Sequence, residues 1–140
     1  LEKIFPQAIK YSELAAAGTT RHQVLIIDNI GMLSSLYRYG SMAFIGGSFG
    51  SGLHNILEAA TFGLPVTFGN KGYYKFAEAK ELIQKGGAVA VADTLELIAI
   101  LQKWSIEKNR DEAGKICSEY VAARVGATKT IMSGVDRLLK

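Results

Sequence analysis

Short apolar runs alternate with segments whose apolar residues recur at helical spacing. Val24-Leu25-Ile26-Ile27, closed by Asp28, is a continuous β-branched run of the kind that forms a strand buried on both faces. Met32, Leu33, Leu36, Tyr37 and Tyr39 then follow a helical period, with Gly40 placed to end it. Met42 to Ile45 reads as the next strand, and a helix is predicted from about His54 to Phe62, closed by Gly63. Pro65 to Phe68 gives a third strand, Lys75 to Lys85 an amphipathic helix with Phe76, Ala79, Leu82 and Ile83 on one face, and Ala88 to Val91 a fourth strand. Asp93 or Thr94 can cap a helix carrying Leu95, Leu97, Ile98 and Leu101, and two more helices follow at about Arg110 to Arg124 and Thr128 to Leu139. Before Val24 the pattern is weaker: Ala8 to Tyr11 suits a strand, Ser12 to Ala17 a short helical turn, and Gly18-Thr19-Thr20 a loop.

Strands of four or five residues alternating with helices predict an α/β fold, a doubly wound Rossmann-like parallel sheet of about four to five strands with helices on both faces. The 140 residues, 49% of them hydrophobic and 21% charged, support one domain over residues 1–140 and argue against disorder. Sixteen basic against 13 acidic residues give a net charge of +3, too small and too scattered for a nucleic-acid stripe. The single Cys117 excludes an intrachain disulfide and reads as an inert thiol in an Ala-rich helix. No apolar run is long enough to span a bilayer. The opening Leu1-Glu2-Lys3-Ile4-Phe5-Pro6 has no Met and no signal-peptide order, which reads as a chain cut from a longer one.

Fifteen glycines against two prolines mark backbone positions rather than a fibrous repeat. In a parallel sheet ligands bind beyond the carboxyl ends of strands, and two glycine-marked loops fall there, at Gly31 and from Gly46 to Gly52. The second is neither a Walker A loop nor a strict dinucleotide fingerprint: no Gly-Lys-Ser/Thr closes it, and Asn55 stands where G-x-G-x-x-G needs its third Gly. His54, Asn55 and Glu58 are spaced to share one face of a helix's first turn. A carboxylate there can bridge the vicinal hydroxyls of a ribose, while the same residues could merely cap the helix, with Ser51 or Asn55 as cap. Glu78, Glu81, Glu96 and His22 read as solvated surface.

Ile45-Gly46-Gly47-Ser48, Gly52 to Ala60, Gly63-Leu64-Pro65-Val66 and Phe68-Gly69, with Asp28 to Leu33 upstream, resemble the C-terminal domain of the 3-deoxy-D-manno-octulosonic acid (Kdo) transferases. The resemblance implies the second of two Rossmann-like domains of a glycosyltransferase-B enzyme, here truncated, holding the donor CMP-Kdo with no further cofactor and no metal. It implies nucleotide contacts at Ile30, Gly31 and Met32, a CMP-holding segment at Asn55, Ile56, Leu57 and Glu58, and a phosphate side shaped by Gly46, Gly47 and His54. Three departures stand out: Leu53 replaces a Gly of the family's Gly-Gly-His-Asn, Met32 replaces the Glu of Gly-Glu-Leu, and Asn70 replaces the Pro of Gly-Pro.

By the same resemblance the intact protein transfers Kdo to a lipid A precursor at the cytoplasmic face of the bacterial inner membrane. The acceptor is bound mainly by the N-terminal domain, which also carries the catalytic carboxylate, and the membrane surface is met by the intact protein, so no catalytic residue is expected in this chain and it is not expected to turn over alone. The alternatives are another glycosyltransferase-B enzyme or sugar-nucleotide epimerase with a uridine or guanosine donor, and a non-enzymatic nucleotide-binding module.

Overall fold

A computed structural model describes residues 5, 7–16, 22–50 and 52–138. The predicted loop at Gly18-Thr19-Thr20, the role of Ser51 as a cap, the end of the last helix at Leu139 and most of the opening hexapeptide lie outside the described residues. The chain forms two compact units, Leu1–Arg38 and Tyr39–Lys140.

In the first unit β1 (Ala8–Lys10) pairs in parallel with β2 (Val24–Ile26), in the register Ala8 to Val24 and Lys10 to Ile26. The continuous apolar run predicts a β2 buried on both faces, but Leu25 is 44% exposed. A two-stranded ladder has too little surface to cover both sides of a strand. A 3-10 turn, Tyr11–Glu13, follows β1, and its Ser12 ties back to the end of β2: the Ser12 hydroxyl donates to Asp28 Oδ2 at 2.5 Å and its amide to Oδ1 at 3.1 Å. The Ser12 hydroxyl is the main reason the Asp28 carboxyl is held below its ordinary range. The predicted helix from Met32 to Tyr39 is one turn of α-helix, α1 (Leu33–Leu36), running into a 3-10 turn, Tyr37–Tyr39.

The second unit holds a parallel sheet in the order β3-β4-β5 (Ala43–Ile45, Val66–Gly69 and Ala88–Val91). Ala43, Val66 and Ala88 stand side by side, as do Ile45, Phe68 and Ala90. All but the half-buried Ala90 are buried, and Phe68 is completely so. Successive residues point to opposite faces, which sets Phe44, Thr67 and Val89 on the other side. Among the described residues every strand pairing is parallel, as the alternation of strands and helices predicts, within a ladder of two strands in the first unit and one of three in the second. Local pattern identifies a parallel strand; it carries no information about which strand lies beside it.

Helices α2 (Leu57–Thr61), α3 (Ala77–Lys85), α4 (Thr94–Ser105), α5 (Glu107–Ala122) and α6 (Ala127–Leu138) complete this unit. Asp93 caps α4 by accepting the Glu96 amide at 3.0 Å, while the Glu96 carboxylate accepts the Ala92 amide at 2.7 Å. This reciprocal arrangement answers the choice between Asp93 and Thr94 in favour of Asp93. Gly86, at φ +90°, closes α3 in the left-handed conformation that a β-carbon disfavours.

α5 packs against α2, α3 and α4. It approaches the end of α2 so closely that a β-carbon on Gly114 would lie 2.2 Å from the Gly63 carbonyl oxygen. Cys117 is buried on the same helix with its thiol 3.1 Å from the Gly87 carbonyl, and burial pushes that thiol up to about 12 from an ordinary 9.0. Two measurable consequences follow. Cys117 should resist alkylation in the folded protein at pH 8–9 and react at once in denaturant. Because the raised pKa makes the folded state bind the proton more tightly than the unfolded one, this contribution to stability is complete below about pH 9 and is lost as pH rises towards 12. Melting curves across that range, compared with Cys117→Ala, check the sign.

Candidate functional site

Two loops at the carboxyl ends of strands carry the residues singled out by the sequence, one in each unit. In the first unit, beyond β2, Ile30 is fully exposed, Gly31 takes φ +95°, and Met32 is half-buried at the start of α1. Asn29 Nδ2 approaches the Met32 sulfur at 2.8 Å, and Asp28 anchors the turn through Ser12. The turn therefore holds an apolar side chain out in water beside a glycine that leaves the backbone bare. A ligand contact could use both.

In the second unit the loop after β3 is built on two glycine requirements. Gly47 has φ +95°, and a β-carbon there would lie 2.0 Å from the Gly52 carbonyl oxygen and 2.9 Å from the His54 ring. Gly69, at the end of β4, has the Phe49 ring and the Ser48 backbone within 2.9 Å of where its β-carbon would stand. The loop is closed by backbone bonds: the Gly50 amide donates to Gly47 O at 2.9 Å and the His54 amide to Gly46 O at 3.3 Å. Ser48 and Thr67 are completely buried, and their hydroxyls find no hydrogen-bond partner among the described residues. Such groups cost free energy unless something else satisfies them.

The helix expected from about His54 is shorter, starting only at Leu57. Asn55 is the reason. Its Oδ1 accepts the Leu57 amide at 3.0 Å, a side-chain cap that starts the helical conformation at Ile56 and leaves His54 outside it. Its Nδ2 donates to Glu58 Oε1 at 3.0 Å, so Asn55 and Glu58 do meet, as their spacing predicts. His54 lies in the loop over Gly46 and Gly47 rather than on the helical turn.

Both polar side chains are exposed. The side chain of Ile56 is 1% exposed and belongs to the core, which leaves only its backbone for a ligand; Leu57 is half-buried. Asn55 thus caps and also orients a carboxylate, and the two roles read as alternatives in the sequence are one arrangement. A carboxylate fixed by an amide at one oxygen still has acceptor capacity for a pair of hydroxyls.

The loop after β4 carries Lys71. Its amide donates to the Ser48 carbonyl at 2.9 Å, and the Asn70 amide donates to Val91 O at 2.9 Å. Gly69-Asn70 is a turn pair by residue type; that the loop is fastened to the Gly46–Gly50 loop depends on β3 and β4 being neighbours. No cluster of His, Cys, Asp and Glu suited to a metal occurs among the described residues, and no helix among them is long and apolar enough to cross a membrane.

Parallel strands, the helices around them and glycine loops at the strand ends make this an α/β domain. Its fold matches the crystal structure of the C-terminal CMP-Kdo binding domain of WaaA from Acinetobacter baumannii, with a TM-score of 0.61 and 23% identity over 78% of this chain and 60% of that one. In sequence the chain resembles the Kdo transferases: it is 32% identical to the 3-deoxy-D-manno-octulosonic acid transferase of Aquifex aeolicus over 98 residues, 64% of this chain and 28% of that protein. It is also 30% identical over 106 residues to a bifunctional glycosyltransferase/methyltransferase of Fusobacterium nucleatum, covering 74% of this chain and 17% of the relative. The chain spans less than a third of the length of these two relatives. No family model matches it.

Proposed function

We propose that this chain is the donor-binding domain of a Kdo transferase, and that the intact protein transfers Kdo from CMP-Kdo to a lipid A precursor in lipopolysaccharide biosynthesis. The observation that carries the reading is the closed Gly46–Gly50 loop beside the Asn55–Glu58 pair, on a chain whose sequence follows the Kdo transferases. In this reading Glu58, steadied by Asn55, takes the two ribose hydroxyls of CMP. The bare backbone at Gly46 and Gly47 approaches the phosphate with His54 alongside, and Ile30, Gly31, Met32 and the backbone of Ile56 and Leu57 contact the nucleotide.

Catalysis is direct displacement with inversion at the anomeric carbon. The carboxylate that deprotonates the acceptor hydroxyl comes from the other domain, and loop amides here meet the charge developing on departing CMP. The donor is the only small molecule this scheme needs. Acceptor binding and contact with the cytoplasmic face of the inner membrane are assigned to the intact protein; the net charge of +3 suits an anionic donor and surface.

Calorimetric titration of the 140-residue chain with CMP, UMP, UDP and GDP tests the donor. CMP should bind most tightly, and preference for UDP or GDP would overturn the Kdo assignment in favour of another sugar nucleotide. Glu58→Ala should weaken CMP binding by about 1.5–3 kcal/mol, the range for hydrogen bonds to a charged group, with the melting temperature held as a control for folding. Unchanged affinity in a folded variant removes Glu58 from the ribose.

A further inference from the structure

Two carbonyls of the glycine loop each receive an amide from a different part of the chain. Gly46 O accepts from His54, which leads into Asn55 and Glu58; Ser48 O, two residues on, accepts from Lys71. The segment Gly46–Ser48 is therefore tied at Gly46 to the stretch that leads into the Asn55–Glu58 pair and at Ser48 to Lys71. The Lys71 backbone is further restrained by its neighbours, since the Asn70 amide is bonded to Val91 O and the tight packing of Gly69 against Ser48 and Phe49 leaves no slack.

The two loop segments themselves carry cations and no carboxylate. Residues 46–56 contain no acid, and neither do residues 69–77, which carry Lys71 and Lys75. Beyond β5, the carboxylates of Asp93 and Glu96 each accept a backbone amide at the cap of α4. Lys71 is exposed, and its flexible stem begins at the loop itself.

We propose that Lys71 is a donor-binding residue whose ammonium contacts an anionic group of the sugar nucleotide at the Ser48 end of the Gly46–Ser48 loop. The proposal rests on the donor reading above and deepens it. A ribose held at Glu58 directs the rest of the donor across the bare glycine backbone, and the first anionic groups it carries past that backbone are a phosphate oxygen and then a sugar carboxylate. Both present oxygen acceptors to an ammonium.

The test compares the chain with Lys71→Met and Lys71→Arg by calorimetry against cytidine, CMP and CMP-Kdo. If the contact is to phosphate, Lys71→Met leaves cytidine binding unchanged and loses about tenfold to a hundredfold of the gain from cytidine to CMP, with Lys71→Arg recovering part of it. If it is to the sugar carboxylate, cytidine and CMP bind as before and the loss appears only between CMP and CMP-Kdo. Equal affinities for all three ligands, or a uniform loss that includes cytidine, overturn the proposal, the second because it reports a disturbed loop. Preference of the unaltered chain for UDP or GDP defeats the Kdo donor and leaves the contact to be judged from the matching nucleoside and nucleotide. Binding of no nucleotide at all defeats both.

Discussion

Trp104→Ala is expected to destabilise the second unit by about 3–5 kcal/mol, the range for removing a buried large aromatic. Trp104 is the largest of the fully buried side chains and stands in the last turn of α4, on the stripe that Leu97 and Ile100 begin at helical spacing. Its loss removes apolar burial at the junction of α4 with α5, and α5 in turn supports α2 and α3. Because α2 begins at the Asn55–Glu58 pair, the damage should reach the site. Urea unfolding should show a lower midpoint, and CMP affinity should fall with the population of folded protein rather than through a direct contact. Trp104→Phe, which keeps most of the volume, should recover much of the stability. A drop below 1 kcal/mol for the alanine variant would mean that α4 is not integral to the fold.

Gly47→Ala should disrupt the loop itself. The left-handed φ of +95° costs a residue with a β-carbon about 1–3 kcal/mol, and the Gly52 carbonyl 2.0 Å from that carbon is backbone, which cannot rotate aside. Overpacking adds a cost of about 1–3 kcal/mol unless the loop opens, and opening it breaks the bonds of Gly50 to Gly47 and of His54 to Gly46. CMP binding should be lost even if the sheet survives. Gly134→Ala provides the contrast. Gly134 lies in α6 with nothing within 4 Å of the added methyl, so the change should stabilise by about 0.5–1 kcal/mol through helix propensity. Melting temperatures moving in opposite directions for the two variants check both; a neutral Gly47→Ala would remove the case for a glycine-dependent loop.

The elements were legible because each has a local cause. The run Ala88 to Val91 is β5 as read, Gly86 ends α3 where a left-handed residue was needed, and Asp93 caps α4. Errors gathered where a side chain competes with the backbone or where a neighbour decides. The Asn55 amide oxygen takes the Leu57 N–H and delays α2 by three residues, so His54 leaves the helix on which spacing placed it. The resemblance places Ile56 in the CMP-holding segment without saying which way its side chain faces, and the start of α2 turns that side chain into the core. Leu25 reads as buried on both faces, yet a two-stranded ladder leaves it half in water.

The sequence by itself determined the alternation of parallel strands and helices, the glycines at the carboxyl ends of β2 and β3, and the Asn55–Glu58 spacing, because period, turn chemistry and capping act over a few residues. Tertiary structure alone decided which strands pair, that Gly114 must be bare to meet Gly63, and that Lys71 is fastened to Ser48. Each of these joins residues more than fifteen positions apart, and a contact at that separation is set by which elements pack together, which no local pattern encodes.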